Sequence, residues 1–284
     1  MTKLLIFNPE HDLCLANGSP SYVPPHSAVS FARTSLGLMN TLYRDGIATS
    51  AYQSLPSADT YSSIIAWGWN ATLKHQLLKL GVPQAFLPTD GELSTIRRLQ
   101  HRSTVLSLQP DCIAAHSVGE VEAFLAEVAP HAVMKAPWSG AGRGLHWASL
   151  PLTPQDRAWV AKTVSAQQCV IVEPQRKVWH NLALEYVGGR FCGYSLFEVE
   201  KAVYSQNISL NDNEIEKIFA NTDLQAVRRK VENWLAVNIF PLYSGPLGVD
   251  LMVEQCGRVF VAEINLRHTM GMVAHCRINN LHLS

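Results

Sequence analysis

Acidic, amide and guanidinium side chains gather near the end of the chain, in a segment that otherwise reads as core. From Gly245 to Gly271 the sequence runs GPLGVDLMVEQCGRVFVAEINLRHTMG. Asp250, Glu263, Asn265 and Arg267 stand there among Val249, Leu251 and Val253, which alternate, and Val259, Val261 and Ile264, which are spread along a second run. This predicts two strands joined by a tight turn at Cys256 and Gly257. Carboxylates facing inward between strands are costly unless a positive group answers them. Hard oxygen donors converging from adjacent strands suit Mg²⁺, which is usually held by one or two carboxylates together with substrate phosphates. The plain alternative is the solvated face of a hairpin.

A second candidate lies earlier. Ala132, Val133 and Met134 form a short apolar run that leads into Lys135 and then Ser139, Gly140, Ala141, Gly142, Arg143 and Gly144. Closely spaced glycines let backbone N–H groups approach an anion with no Cβ in the way. Gly-Lys-Ser/Thr is missing, so this is not a Walker loop. Leu145 to Ser149 reads as extended and the next helix starts only near Thr153, so it is not a dinucleotide fingerprint either. A strand, glycine loop and strand lying over phosphates remains, with a surface turn as the plain reading. Nothing nearby in sequence neutralises Lys135, which favours phosphate.

Composition narrows the classes. At 284 residues the chain can bury a sizeable core and hold two or three units. The 23 basic and 23 acidic residues leave no bulk field for nucleic acid or an anionic membrane. No apolar run approaches the ~18 residues that span a bilayer. The start, MTKLLIFNPEHD, meets polar residues too early for a signal peptide. Six cysteines without a CxxC pair fit the reduced thiols of a cytoplasmic protein, and eleven histidines show no paired ligand spacing, so no structural metal is expected.

The elements that would carry these residues alternate at first. Strands near 3–7, 47–52, 62–67 and 82–87 and helices over 27–44 and 71–80 predict a parallel α/β layer across 1–92. Ligands bind beyond the carboxyl ends of such strands, where Asn8, Glu10, His11 and Asp12, and Trp67 to Asn70, would lie. Those three acid and imidazole side chains read either as acceptor-substrate contacts or as a loop-capping cluster. Trp67 and Trp69 read as interface core. Further on, Ser117 opens a helix and Pro130 ends it, and Thr153 with Pro154 opens another to about Gln167. Strands follow near 169–173, 182–187 and 190–199, with an amphipathic helix over 223–238.

In this order, Val133 to Lys135 with Gly142 to Leu145, Val170 to Pro174, and Gly248 to Asp250 with Glu263 to Arg267, the chain resembles the ATP-grasp superfamily, including its biotin-carboxylase-like and D-alanine-ligase-like members. The resemblance covers most of the chain. It implies an α/β and α+β chain: an ATP-grasp fold behind an N-terminal Rossmann-like layer, divided as 1–92, 93–172 with the glycine loop, and 173–284 with the metal site. It implies that Lys135 and the loop Ser139 to Gly144 hold ATP phosphates, that Glu173, Pro174 and Gln175 form the adenine hinge, and that His180 lies on the ribose or phosphate side. Asp250, Glu263 and Asn265 become Mg²⁺ ligands, with Mn²⁺ a possible substitute. Arg267 becomes the cation beside the reacting group, with Lys135 its catalytic partner. Asp250 stands where many members have Glu, an equivalent oxygen donor. The family's second Lys has no counterpart; Arg98 and Arg102 occupy that segment, and Arg102 is the candidate for the contact. Asn8, Glu10, His11 and His268 are candidate substrate contacts, although His268 and Thr269 read equally well as a chain turn.

The reaction so implied is ADP-forming ligation: a small carboxylate is activated as an acyl phosphate and attacked by an amine, a thiol or a similar nucleophile. Small-molecule carboxylate and amine or other nucleophile substrates are the expected partners, with no nucleic acid and no membrane; a homodimer is the default, and the oligomeric state stays open. The rivals are a kinase on the same fold and a non-catalytic ATP-binding sensor or scaffold.

Overall fold

In the computed structural model, which describes residues 2–139, 144–200 and 203–283, the first sheet is built from three short apolar strands. They are β1 (Lys3–Ile6), β2 (Gly46–Thr49) and β3 (Ser63–Ala66), all parallel in the order β2-β1-β3. Around them lie α1 (His11–Asn17), α2 (His26–Thr34), α3 (Gly37–Leu42) and α4 (Ala71–Lys79). The expected helix over 27–44 is thus two, broken where Thr34, Ser35 and Gly37 put poor helix formers together. The expected strand over 82–87 is a 3₁₀ turn, Gln84–Phe86, opened by Pro83, which has no N–H for a ladder. Helix α1 occupies ground that reads as loop in the sequence.

The second sheet is antiparallel, ordered β4-β7-β5-β6. Its strands are β4 (Ile113–Ala115), β5 (His131–Lys135), β6 (Leu145–Ser149) and β7 (Val170–Pro174). Before it runs α5 (Asp90–Leu99), with a full capping box of Thr89 and Glu92, and a 3₁₀ segment, Arg102–Leu108. Helices α6 (Val118–Glu127) and α7 (Pro154–Gln167) cover one face; Val121, Phe124, Leu125 and Val160 meet Met134 and Val172 in its core. Thr153 and Asp156 cap α7 with Pro154 at its first position, where the missing N–H costs nothing.

The third sheet is antiparallel and ordered β10-β9-β8-β11-β12. It comprises β8 (Val178–Val187), β9 (Arg190–Glu200), β10 (Val203–Ile208), β11 (Leu247–Glu254) and β12 (Val259–Asn265). Gly188 and Gly189, both at positive φ, make the two-residue turn between β8 and β9. Helices α8 (Asp212–Ile218) and α9 (Leu224–Asn238) close one face, and α10 (Met270–Asn279) follows β12. Leu182, Leu184, Val249 and Leu251 meet Ile215, Val231 and Leu235 in the largest core. Ile96, Leu99 and Val105 enter that same core, so the start of the 93–172 unit packs with the third sheet. The chain order of β7 and β8 had hidden this, because α5 is separated from its packing partners by the whole second sheet. Among the described residues no helix is long and apolar enough to cross a membrane.

Leu251 lies in the sheet's apolar face at 1% exposure, whereas Val237 on α9 is 75% exposed. Leu251→Ala is expected to lower stability by about 2–5 kcal/mol, and Val237→Ala by no more than about 0.5 kcal/mol, in urea denaturation followed by circular dichroism.

Candidate functional site

Strand β11 sorts its side chains by parity. Leu247, Val249, Leu251 and Val253 are buried in the α8 and α9 core, and Asp250 and Met252 turn to the other face. Its partner β12 cannot keep that alternation unaided, because Val259, Val261 and Ile264 all face the core. A bulge resolves the phase. Asp250 pairs with Glu263 but Leu251 pairs with Val261, so Ala262 is the extra residue. The bulge places Glu263 opposite Asp250, and Asn265 opposite Gly248, on the face of the sheet away from the helices. Asn265 donates from Nδ2 to Asp250 Oδ2 at 3.1 Å. The acidic pair and the amide predicted from sequence are therefore brought together. Removal from water and then the neighbouring carboxylates of Glu263 and Glu185 raise the Asp250 carboxyl well above the usual range.

Arg102 answers Glu263. Its Nη2 reaches the Glu263 carboxylate and the Ser139 carbonyl (3.0 Å), and its Nη1 donates to the Ala136 carbonyl (2.7 Å) and to Ser139 Oγ (2.6 Å). One buried guanidinium so ties the entrance of the glycine loop to the acidic strand. Arg98 is exposed on α5, leaving Arg102 as the residue at this place. Gly140, Ala141, Gly142 and Arg143 lie outside the described residues; Gly144, at φ 72°, begins the return into β6.

Lys135, at the end of β5, is neutralised from the neighbouring strand rather than from its own vicinity in sequence. Its Nζ lies 2.7 Å from Glu173 Oε1, and both side chains are buried. Register explains this: Val133 pairs with Glu173 and Lys135 with Ile171, so the two charges sit two residues apart on one face. The Glu173 carboxylate is thus engaged with Lys135, and β7 continues through Pro174 to Gln175, whose N–H donates to the His131 carbonyl at 3.0 Å. Gln175 and the half-buried His180 both line the cleft. The His180 ring packs on Trp179 and Phe219, and loss of water lowers its pKa.

Arg267 spans to the first sheet. Its Nε and Nη2 form a paired contact with the two Asp12 oxygens at 3.1 and 2.9 Å, and Nη2 also reaches Asn265 Oδ1 at 3.1 Å. Burial works to raise the Asp12 carboxyl, but the guanidinium prevails and holds it below its ordinary value. Asp12, in the first turn of α1, lines the cleft wall, as does Pro9 before it. The other candidates after β1 turn away. Asn8 is fully buried, its amide bonded to Gly68 on both sides. Glu10 is buried and accepts from the Tyr52 hydroxyl at 2.9 Å, and burial pushes it up to about 7. His11 is buried against Asn70, at 3.1 Å, and burial lowers it to about 4. A Cβ at Gly68 would lie 2.6 Å from the His11 ring, so the glycine makes room for it. His268 is also buried, between the Tyr43 hydroxyl (2.7 Å) and the Trp67 carbonyl (3.1 Å). Asn8, Glu10 and His11 find their partners within the first layer, and His268 fastens the chain before α10 to Tyr43 and Trp67; none of the four lines the cleft, and they are corrected from substrate contacts to buried structural groups.

The cleft among the three sheets encloses about 1120 Å³. Lys135 and Glu173 face it from the second sheet, Asp250, Glu263 and Asn265 from the third, and Phe7, Asp12 and Trp67 from the carboxyl ends of the first. Glu185, Ser195 and Thr269 complete its floor and have no motif in the sequence. Only strand parity on β8 and β9 could have found Glu185 and Ser195. Among the described residues no group of three or more His, Cys, Asp and Glu side chains gathers as a metal cage. The donor set present, two carboxylates and an amide across one strand pair, fits a hard divalent cation that takes its remaining ligands from phosphate and water. The cationic side chains Lys135, Arg102 and Arg267 around it fit a polyphosphate.

No family model matches the sequence, and no curated protein matches it. Solved structures do. D-cycloserine synthetase DcsG aligns over 98% of this chain and 99% of its own at 13% identity, with a TM-score of 0.60. N5-carboxyaminoimidazole synthetase from Staphylococcus aureus, solved with ADP, aligns over 100% of this chain and 78% of its own at 13% identity, TM-score 0.57. Biotin carboxylase from Campylobacter jejuni covers 80% of this chain and 56% of its own at 10% identity, TM-score 0.54. The chain has the ATP-grasp fold that these proteins share.

Glu10 gives a pH signature. Its folded pKa of about 7 exceeds the ordinary 4.5, so its contribution to stability is full below pH 4.5 and is lost as pH rises through 7. Relative to wild type, Glu10→Gln is therefore expected to gain about 3 kcal/mol between those limits, read from urea denaturation midpoints across the range.

Proposed function

We propose that this chain is an ATP- and Mg²⁺-dependent ligase that activates a small carboxylate as an acyl phosphate for attack by an amine or a similar nucleophile. The observation that carries the reading is the pairing of Asp250 with Glu263 across the bulge at Ala262, on the wall of a cleft whose other wall presents Lys135. Two synthetases, one solved with ADP, and a biotin carboxylase among the structural neighbours support the same reading at the level of the fold.

Bound ATP with Mg²⁺ would supply the transferable phosphoryl group. The chain's own part is placement and charge. Asp250 and Glu263 would hold the cation with Asn265, whose amide group is already directed within the pair. Lys135 would meet phosphate oxygens, and Glu173 keeps its ammonium fixed at the end of β5 until then. Arg102 sets both the loop entrance and Glu263, so the two sides of the phosphate site are positioned by one side chain. Arg267 would orient the anionic substrate, being held in place by Asp12. Phosphoryl transfer asks for little beyond such positioning and neutralisation.

A thermal-shift titration with ATP and GTP, each with and without Mg²⁺, tests this directly. Saturating ATP with Mg²⁺ is expected to stabilise the protein by ~2.7 kcal/mol at a hundredfold excess over Kd. Glu263→Gln should lose the Mg²⁺ dependence and ADP release while keeping its ligand-free Tm within a few degrees. Lys135→Ala should weaken ATP binding about tenfold or more, the scale of a charge-assisted contact. Equal ATP shifts with and without Mg²⁺ would remove the metal assignment, and ADP release that needs no amine would point to a kinase.

A further inference from the structure

Among the carboxylates that line the cleft, the most deeply buried has no task in ligation. Glu185, on β8, is 1% exposed and lies on the cleft floor. Its two oxygens each accept one hydroxyl: Oε1 from Ser195 at 2.9 Å and Oε2 from Thr269 at 2.8 Å. Thr269 Oγ1 in turn accepts the Met272 N–H at 3.0 Å and so caps α10, which fixes the carboxylate's orientation. Among the described residues no cation forms an ion pair with Glu185; the guanidinium of Arg267, which acts on it through its charge, is engaged by Asp12. Each carboxylate oxygen can accept more than one hydrogen bond, so two hydroxyls leave it unsaturated.

Two glycines let the backbone pack directly against the carboxylate. A Cβ on Gly271 would lie 2.0 Å from Glu185 Oε1 and 2.2 Å from Ser195 Oγ, and a Cβ on Gly248 would lie 3.1 Å from Oε2. Next to Gly271, Met270 packs on the cluster that contains Phe7 and Trp67. Phe7 meets Trp67 edge-on at 5.1 Å and Phe31 at 5.6 Å. Phe31 is 46% exposed although it belongs to this cluster of rings, and it faces the cleft with Trp67 and Met270. An unpaired carboxylate and an apolar ring wall thus flank the two sides of one short stretch, Met270 and Gly271.

We propose that Glu185 receives the ammonium group of the nucleophilic substrate, and that Phe31, Trp67 and Met270 cover an apolar substituent on that amine. The assignment rests on the ligase reading and names its second substrate as a primary amine with an apolar body. The charges complement each other: an ammonium would meet Glu185 and ring faces, both of which favour cations. A carboxylate substrate would be repelled from that end of the cleft and drawn toward Arg267. An amine without an apolar body would leave Phe31 exposed to water.

The test uses three probes on the full chain by isothermal titration calorimetry: 2-phenylethylamine, ethylamine and 3-phenylpropionate. Wild type should bind 2-phenylethylamine about tenfold or more tightly than either of the others, the scale of one charge-assisted contact or one buried ring. Glu185→Gln should lose that preference for the amine over 3-phenylpropionate. Phe31→Ala, at an exposed position that leaves the fold intact, should bring 2-phenylethylamine down to the affinity of ethylamine and leave ethylamine itself unchanged. No binding of 2-phenylethylamine to wild type, equal binding of 3-phenylpropionate, or an unchanged affinity in either variant would overturn the assignment. The Mg²⁺-dependent ATP shift, measured on the same samples, separates the two readings. If it persists while the amine probes fail, only the role of Glu185 falls; if it is missing, the ligase reading falls whatever the amines do.

Discussion

Charge that is withdrawn from water must be answered by charge, and in this molecule that requirement organises the centre. Asp250 and Glu263 sit opposite each other on adjacent strands, half-buried, with a third acid, Glu185, behind them. Loss of water, and then repulsion by Glu263 and Glu185, hold the Asp250 carboxyl toward its neutral form. The arrangement is tolerable because Arg102 and Arg267 approach from other parts of the chain. It would become favourable in the presence of a divalent cation, which is the physical sense of a site built from acids that the apo protein only partly neutralises.

Each of these answering charges also joins two bodies of structure. Arg102 connects the approach to the glycine loop with the acidic strand of the third sheet. Arg267 connects that strand with α1, the helix that follows β1. Lys135 and Glu173 lock two neighbouring strands of the second sheet at the point where they reach the cleft. Buried ion pairs contribute little net stability once the loss of hydration is counted, but removing one partner is strongly unfavourable. Their effect here is on position. They hold functional groups on rigid strands and fix the relation of three sheets around one space.

The bulge at Ala262 shows how a local irregularity serves that space. A regular β12 would have turned Glu263 into the same core as Val261, where a carboxylate has no partner. One extra residue rotates the end of the strand, so Ile264 stays in the core while Glu263 and Asn265 reach the cleft. Uneven apolar spacing in β12 is the trace of this in the sequence.

Much of the chemistry was legible in residue order alone. The apolar alternation of β11, the strand leading into Lys135, the helix starts at Ser117 and Thr153, and the carboxylates at 250 and 263 all express local rules: period, turn chemistry and donor type. What the tertiary structure alone decided is which of the polar groups face the cleft. Asn8, Glu10, His11 and His268 are polar like Asp12 and Glu185, yet the first four are buried away from the cleft while the latter two line it. The partner of Lys135 and the core that receives α5 were equally out of reach, since both depend on strand register between segments far apart in sequence. Local sequence specifies what a side chain can do; only packing determines which surface, and which opposite charge, it meets.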